Sequence, residues 1–171
     1  YAVDLINFRA KEIENQLIEL DGYKLKYHLK TFGQIPQDGW SLFISLHGGG
    51  GVEPGINERQ WNRHKILYSL EQGILLTPRS PTDTWNMWHQ AHIDEILNRL
   101  LQNMIASNRI NPNKVFLLGY SAGGDGVYQL APRMADRFAA ASMSAGHPND
   151  ASPLGLRNIG FSIHTVSYTH L

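Results

Sequence analysis

Residues 115–124, VFLLGYSAGG, run from a short apolar stretch into a turn of small residues that carries Ser121. The apolar stretch is typical of a buried strand, and residues 119–123 have the pattern Gly-x-Ser-x-Gly. A serine hydroxyl is a weak nucleophile unless it is exposed, held rigidly and paired with a base. Gly119 and Gly123 permit a strained backbone at the serine between them. These flanks predict a strand, a strained turn with a candidate nucleophile at Ser121, and a helix.

The composition of the chain excludes several classes of protein but does not indicate a function. Its 171 residues can bury one sizeable core, so we expect a single domain over residues 1–165. Fifteen basic and fifteen acidic residues give a formal charge of zero, and no apolar stretch reaches bilayer length, so neither nucleic acid nor a membrane is expected as a partner. The absence of cysteine excludes disulfides and thiolate metal sites, and we expect no metal and no cofactor. We expect a soluble protein without a transmembrane segment, whose localisation stays open because the chain starts at Tyr1 rather than at methionine. The sequence predicts no oligomeric state.

Strand-like and helix-like segments alternate along the chain. Alternating apolar residues predict an antiparallel strand over residues 23–31. Shorter apolar runs predict further strands, at residues 40–46, 73–77, 115–118, 138–144 and 159–165. Helical spacing of apolar residues from Ile93 to Met104 predicts one helix, and a second is expected from about residue 122 to 134. A turn is predicted at residues 111–113, Asn-Pro-Asn.

Short apolar strands separated by helices predict an α/β fold with a mostly parallel, doubly wound sheet that is covered on both faces. Ligands bind such sheets beyond the carboxyl ends of the strands. The conspicuous polar and glycine-rich segments follow strand ends, at residues 47–51, 80–89, 121 and 146–150. We therefore expect these segments to meet at one rim of the sheet.

Residues 47–51, HGGGG, are the second informative segment of the chain. Acyl-group hydrolysis passes through a tetrahedral oxyanion that needs fixed N–H donors, and glycines let the backbone present them without obstruction. A flexible loop and a phosphate-binding loop are the alternatives. A phosphate loop would continue with Gly-Lys-Ser/Thr, whereas Val52-Glu53-Pro54 follows here. The serine turn downstream favours the oxyanion interpretation.

The order strand, HGGGG loop, strand, helix, strand, Gly-x-Ser-x-Gly turn and helix resembles the α/β-hydrolase superfamily from about residue 23 to residue 165. HGGGG, GYSAGG and residues 81–89 are similar to its bacterial esterase and depolymerase-like branch. The resemblance implies Ser121 as the nucleophile and the backbone N–H groups of Gly48, Gly49 and Ala122 as the oxyanion hole. It implies a chain order of serine, acid and then histidine.

The function that the resemblance implies is a serine hydrolase that cleaves small-molecule or polymeric carboxylic esters through an acyl-enzyme. A serine peptidase or acyltransferase of the same fold is the first alternative, because the serine turn does not separate amides from esters. A non-catalytic binding protein is the second alternative. A binding protein has no need of both an intact serine turn and an intact glycine loop, which argues against it.

The acid and the histidine of the implied triad are expected beyond the end of the chain, because no Asp or Glu follows Thr165. Residues 1–171 alone are therefore expected to be inactive and poorly soluble. Residues 166–171, VSYTHL, match what a common sequencing adaptor encodes in one frame, so we expect a non-native tail there. His170 lies in that tail and is a poor candidate for the base.

Residues within the chain offer weaker candidates for the rest of the site. Asp150 is a candidate acid, with a turn or capping role as the alternative. Asp125 falls in the first turn of the predicted helix, where the helix dipole favours a structural carboxylate. His147 is a candidate for the substrate cleft, and a rim or structural role is favoured over that of a base. His47 is expected to brace the glycines by hydrogen bonding.

The remaining candidates lie in an aromatic segment, residues 82–89. Trp85 and Trp88 belong to the core by default, but a loop at this rim could also grip an acyl or aromatic group of a substrate. No role is assigned to three further histidines, His64, His89 and His92.

Overall fold

The computed structural model describes residues 9–166, in which seven strands form one sheet. The strands are β1 Leu17–Leu20, β2 Tyr23–Phe32, β3 Trp40–Leu46, β4 Gly73–Pro78, β5 Ile110–Tyr120, β6 Ala140–Ser144 and β7 Gly160–His164. They lie in the order β1-β2-β4-β3-β5-β6-β7. β2 pairs antiparallel with both β1 and β4, whereas β4, β3, β5, β6 and β7 run parallel. The predicted mostly parallel α/β sheet is confirmed.

Three α-helices connect the parallel strands: α1 Pro54–Leu67, α2 Ala91–Ser107 and α3 Ala122–Arg133. Residues 9–14 are also helical, and short 3₁₀ turns lie at Ala135–Arg137 and Pro153–Leu156. The apolar stripe of α2 is buried, as its spacing predicted, and packs into the same core as Ile44 of β3. Each buried aliphatic side chain of this size stabilises the fold by about 1.5–3 kcal/mol.

Helix α1 lies on the opposite face of the sheet from α2 and α3. Neighbouring side chains of a strand point to opposite faces, so Ser45 points away from the core that contains Ile44. His64 of α1 shares a hydrogen bond of 2.8 Å with the Ser45 hydroxyl through its Nδ1. The sheet therefore carries helices on both faces, as a doubly wound fold requires.

Helix α1 was not predicted, because its buried stripe is polar. The buried residues are Asn57, Trp61 and His64, which recur at helical spacing but are not aliphatic. Each makes a hydrogen bond to the sheet or to the glycine loop; the Trp61 indole N–H, for example, donates to the Thr77 carbonyl at 2.8 Å. Hydrogen bonding rather than apolar periodicity thus determines which face of this helix is buried.

The turn predicted at residues 111–113 is wrong as a strand boundary, because β5 begins at Ile110. Ile110 pairs with Trp40 and Val115 pairs with Leu42, so the intervening residues form an irregular bulge within the strand. The Asn113 N–H donates to the Asn111 side-chain oxygen at 3.0 Å, a local bond of the kind that Asn makes in turns. The short strand β1 was also missed.

The carboxyl ends of three adjacent strands lie side by side at one rim of the sheet. Leu46 of β3 pairs with Gly119 of β5, and Tyr120 pairs with Ser144 of β6. The glycine loop, the serine turn and residues 145–150 all leave the sheet there. Over the described part of the chain, no helix is both long and apolar enough to cross a membrane.

Candidate active site

Ser121 occupies a strained turn between β5 and α3. Its backbone angles are φ 57° and ψ −123°, a conformation that costs a residue with a side chain about 1–3 kcal/mol. Two backbone hydrogen bonds of 3.0 Å hold it, from the Ser121 N–H to the Ser144 carbonyl and from the Asp125 N–H to the Ser121 carbonyl. The strained conformation expected from the sequence is present, and it lifts the partly exposed serine out of the strand.

The two glycines around this turn allow a close approach of backbones. A Cβ on Gly119 would lie 2.1 Å from the Gly123 carbonyl oxygen, and a Cβ on Gly123 would lie 2.0 Å from the Leu46 carbonyl oxygen. Real Cβ atoms do not come so close to backbone atoms. The start of α3 is therefore pressed against the end of β3, from which the glycine loop leaves.

The glycine loop borders the serine directly. A Cβ built on Gly48 would lie 3.2 Å from Ser121 Cβ and 3.7 Å from Ser121 Oγ. Gly49 and Gly50 follow with φ angles of 114° and 110°, in the left-handed region that favours glycine. Gly48 and Gly50 are buried, whereas Gly49 is exposed at the rim. The segment predicted to supply oxyanion donors thus lies beside the predicted nucleophile.

The predicted oxyanion donors are backbone N–H groups of two segments, the glycine loop and the start of α3. The first N–H groups of a helix have no acceptor within the helix, and in α3 the Ala122 N–H is one of these. In the glycine loop, the Gly50 N–H donates to the Asn57 side-chain oxygen at 2.9 Å, so it is not a candidate donor. The N–H groups of Ala122, Gly48 and Gly49 stay the donors predicted from the sequence.

His47 is a buried, neutral residue that holds the start of the glycine loop. Its Nε2 accepts a hydrogen bond from the Ser80 N–H at 3.1 Å, so its Nδ1 carries the proton and donates to the Gly48 carbonyl at 2.7 Å. Burial lowers the pKa of His47 to about 3. The bracing contact expected for this histidine is present. With both ring nitrogens engaged, His47 is not placed to take a proton from Ser121.

The two tryptophans of the aromatic segment have different positions. Trp88 is fully buried, and its indole N–H donates to the His47 carbonyl at 2.9 Å. It belongs to the core and presents no surface to a ligand, which corrects its inclusion among the cleft candidates. Trp85 is 64% exposed and lies against Gly51, where a Cβ would come within 3.3 Å of the Trp85 backbone nitrogen.

The weaker site candidates, Asp125, His147 and Asp150, make hydrogen bonds within the loop after β6 or between that loop and α3. Asp125 accepts a hydrogen bond from the His147 N–H at 2.6 Å, and His147 Nδ1 accepts one from the Asn149 N–H at 2.9 Å. Asp150 accepts a hydrogen bond of 2.9 Å from Gln129, and this bond holds the pKa of the exposed carboxyl below its usual value. These contacts favour the structural alternatives for Asp125, His147 and Asp150.

Residues 9–166 contain no hydrogen bond from Ser121 Oγ to a histidine, and no group of three or more acidic or histidine side chains that could hold a metal. The residues proposed as an adaptor tail lie outside this range except for Val166, and so does His170. The described rim therefore places a strained serine beside the glycine loop, with no histidine of residues 9–166 hydrogen-bonded to it.

A polar cluster that was not predicted from the sequence lies against the glycine loop and is formed by Asn57, Arg79 and Asp83. Asn57 is fully buried and bonds Gly50 and Asp83, and Asp83 forms an ion pair with Arg79. The one available signal was Pro54, a residue that favours the first position of a helix directly after the glycines.

No protein-family model and no curated protein sequence matches the chain. Among solved structures, it is similar to a thermostable esterase, with a TM-score of 0.58 and 14% identity over 89% of this chain and 54% of that one. An acetyl xylan esterase from Aspergillus awamori matches at a TM-score of 0.50 and 16% identity, over 71% of this chain and 47% of that one. Est1E from Butyrivibrio proteoclasticus, solved with ferulic acid, matches at 0.50 and 18% identity, over 77% and 53% of the two chains.

The chain thus spans about half the length of each of these proteins, since it covers 54%, 47% and 53% of them. Their identities to it are low, so the similarity concerns the arrangement of strands and helices rather than particular residues. The strand order and the parallel pairing of β4, β3, β5, β6 and β7 agree with that arrangement. The described chain therefore has the α/β-hydrolase fold, which it shares with these esterases.

Proposed function

We propose that the protein is a serine hydrolase that cleaves carboxylic esters through an acyl-enzyme on Ser121. The observation that carries the proposal is the strained Ser121 turn lying directly against Gly48 of the glycine loop. Strain at a residue with a side chain persists only where its surroundings enforce it, and it concentrates at functional sites. The shared fold with esterases supports the same reaction class.

In the proposed reaction, Ser121 Oγ attacks the carbonyl carbon of the ester while its proton passes to a histidine base. The carbonyl oxygen becomes an oxyanion and accepts hydrogen bonds from the N–H groups of Ala122 and of Gly48 or Gly49. Collapse of this intermediate breaks the bond to the alkoxy group, which leaves as the alcohol with the proton from the histidine. Water then attacks the acyl-enzyme in the same way and releases the acid.

The base and the acid of this reaction are proposed to come from outside residues 9–166. Both ring nitrogens of His47 are engaged, and Asp150 bonds Gln129 of α3. Removal of one member of a triad that acts as a unit costs on the order of 10⁶ in turnover. We therefore propose that the full-length gene product is active and that residues 1–171 alone are not.

The proposed substrates are small-molecule or polymeric esters, and Trp85 is the described residue best placed to contact one. Its exposed indole lies beside the glycine loop, where the acyl or alcohol part of an ester bound at Ser121 would emerge. A related structure was solved with ferulic acid and another is an acetyl xylan esterase, so both aromatic and small acyl groups are reasonable probes.

Hydrolysis of p-nitrophenyl acetate and p-nitrophenyl butyrate by the full-length gene product tests the proposal. Ser121→Ala should lower kcat by on the order of 10⁵ or more. The exposed Ser69→Ala variant is a matched control and should hydrolyse at the wild-type rate. Equal rates for wild type and Ser121→Ala would contradict the proposal. A higher kcat/KM on matched p-nitroanilides would favour the peptidase alternative.

A further inference from the structure

We propose that Asn57 is a positioning residue that fixes the glycine loop so that the Gly49 N–H points at the developing oxyanion. This inference rests on the proposed esterase function and adds a residue to it. Asn57 lies in the first turns of α1, is fully buried, and bonds both the N–H and the carbonyl of Gly50.

The two hydrogen bonds from Asn57 hold two consecutive peptide groups. The Gly50 N–H belongs to the peptide that joins Gly49 to Gly50, and it donates to Asn57 Oδ1 at 2.9 Å. The Gly50 carbonyl belongs to the next peptide, and it accepts from Asn57 Nδ2 at 2.8 Å. Because a peptide group is planar, these bonds fix the orientation of the chain on both sides of Gly50.

His47 holds the peptide that comes before. Its Nδ1–H donates to the Gly48 carbonyl at 2.7 Å, and the Gly49 N–H is on the other side of the same peptide plane. His47 therefore directs the Gly49 N–H from one end, while Asn57 fixes the peptide that follows it. Without Asn57, the peptide between Gly49 and Gly50 would lose its hydrogen bond and could rotate, because glycine populates many backbone conformations.

The orientation of the Asn57 amide is itself determined by Asp83. The Asp83 carboxylate, which can only accept, receives a hydrogen bond from Asn57 Nδ2 at 2.7 Å, so the amide nitrogen must face it. Burial raises the pKa of Asp83, but hydrogen bonds from Asn57 and Arg79 outweigh it and keep the pKa below its usual value. Asp83 is thus an anion that holds Asn57 Oδ1 toward the Gly50 N–H.

The Asn57 side chain and the glycine loop are in tight contact, which leaves no space for a side chain at Gly49. A Cβ on Gly49 would lie 1.9 Å from Asn57 Oδ1, so the amide packs directly against the loop backbone. Truncation of Asn57 leaves a cavity and an unbonded Gly50 N–H, while the Gly50 carbonyl keeps only the hydrogen bond of 2.7 Å from the Val52 N–H. A displacement of about 1 Å in a catalytic donor is enough to cost about 10²-fold in rate.

Steady-state kinetics of the full-length gene product test the inference. Asn57→Ala should lower kcat about 10²-fold with KM little changed, because the lost interaction is made only in the transition state. Its affinity for a tetrahedral mimic, a trifluoromethyl ketone, should fall by a similar factor. Asn62→Ala is the matched control: Asn62 lies on the same helix, is exposed, and bonds Lys65 at 2.7 Å.

A second pair of variants decides the question if Asn57→Ala does not fold. Asp83→Asn keeps an oxygen that can accept from Asn57, whereas Asp83→Ala does not, so kcat should fall further in Asp83→Ala. An unchanged kcat in folded Asn57→Ala, or equal kcat values in the two Asp83 variants, would overturn the inference. The proposed function is judged separately, since it fails only if hydrolysis does not depend on Ser121.

Discussion

Ser121 and Gly48 lie so close together that a Cβ on Gly48 would be 3.2 Å from Ser121 Cβ and 3.1 Å from the Tyr120 carbonyl oxygen. Gly48 follows the end of β3 and Ser121 follows the end of β5, and these two adjacent parallel strands end at the same rim of the sheet. Their proximity places the Ser121 hydroxyl beside the glycine loop, which is the segment that we propose to supply oxyanion donors. A side chain at Gly48 is therefore expected to lower turnover more than it lowers stability.

Replacement of Gly48 by alanine should lower kcat of the full-length gene product by about 10–100-fold, because the added methyl group pushes the loop away from Ser121 by a few tenths of an ångström. Gly55→Ala is the control, since a Cβ there meets only the end of Arg59 at 3.8 Å. It should leave kcat unchanged and stabilise the protein by about 0.4–1 kcal/mol. Equal kcat values for the two variants would contradict the proposed geometry.

Two buried histidines should make the fold sensitive to acid. Burial lowers the pKa of His47 to about 3 and that of His64 to about 4, whereas an unfolded histidine titrates near 6.5. Below about pH 6.5 these histidines become protonated in the unfolded chain but stay neutral in the folded chain. The free energy of unfolding is therefore greatest above that pH and falls as the pH decreases toward 3–4.

The free energy of unfolding measured with urea should drop by about 2 kcal/mol per buried histidine between pH 6.5 and pH 5. His47→Asn should retain a donor near the Gly48 carbonyl and should show a smaller loss over this range. The exposed His147→Asn variant controls for the removal of a histidine. A pH-independent free energy of unfolding in the wild type would show that these residues are not buried as described.

Substitution of Trp85 should affect substrate binding, whereas substitution of Trp88 should affect stability. Trp85→Ala should change stability by less than about 0.5 kcal/mol, because the side chain is exposed, but should raise KM for aromatic acyl esters more than for acetate. Trp88→Ala should destabilise the fold by about 3–5 kcal/mol, because the side chain is fully buried. Urea melts and KM values for the two ester classes check both expectations. An equal rise of KM for acetate and aromatic esters in Trp85→Ala would argue against a substrate contact.

Purified residues 1–171 should hydrolyse p-nitrophenyl esters at a rate indistinguishable from that of their own Ser121→Ala variant. The reason is that no histidine of residues 9–166 is hydrogen-bonded to Ser121, and we expect the base neither there nor at His170 in the predicted adaptor tail. Loss of a base costs on the order of 10⁶ in turnover. The full-length gene product, assayed at the same concentration, is the positive control. Ser121-dependent hydrolysis by residues 1–171 would mean that the base lies within them.

The parts of the fold that follow hydrophobic patterning could be predicted from the sequence. Strand β3 was predicted with its observed bounds, and the buried stripe of α2 follows the spacing from Ile93 to Met104. Helix α1 could not be predicted in this way, because its buried residues are held by hydrogen bonds to distant positions such as Ser45 and Thr77. Such partners are adjacent only after the sheet has formed.

The same distinction applies to the candidate site. Ser121 and the glycine loop were found because their surroundings require glycine and therefore leave a local pattern. Close backbone approach requires it at Gly119 and Gly123, and positive φ angles favour it at Gly49 and Gly50. Asn57 and Asp83 left no pattern, since one asparagine in a polar helix and one aspartate in a loop are common residues. The role that we propose for them rests on two distances, 2.9 Å from Asn57 Oδ1 to the Gly50 nitrogen and 2.7 Å between the two side chains.

The most direct test of the account is to identify the residue that becomes acylated. The full-length gene product, quenched in acid during turnover of p-nitrophenyl acetate, should carry a single acetyl group on the peptide that contains Ser121, and the Ser121→Ala variant should carry none. Peptide mass spectrometry locates the group. An acetyl group on another residue, or continued hydrolysis by Ser121→Ala without any adduct, would contradict the assignment of Ser121 as the nucleophile.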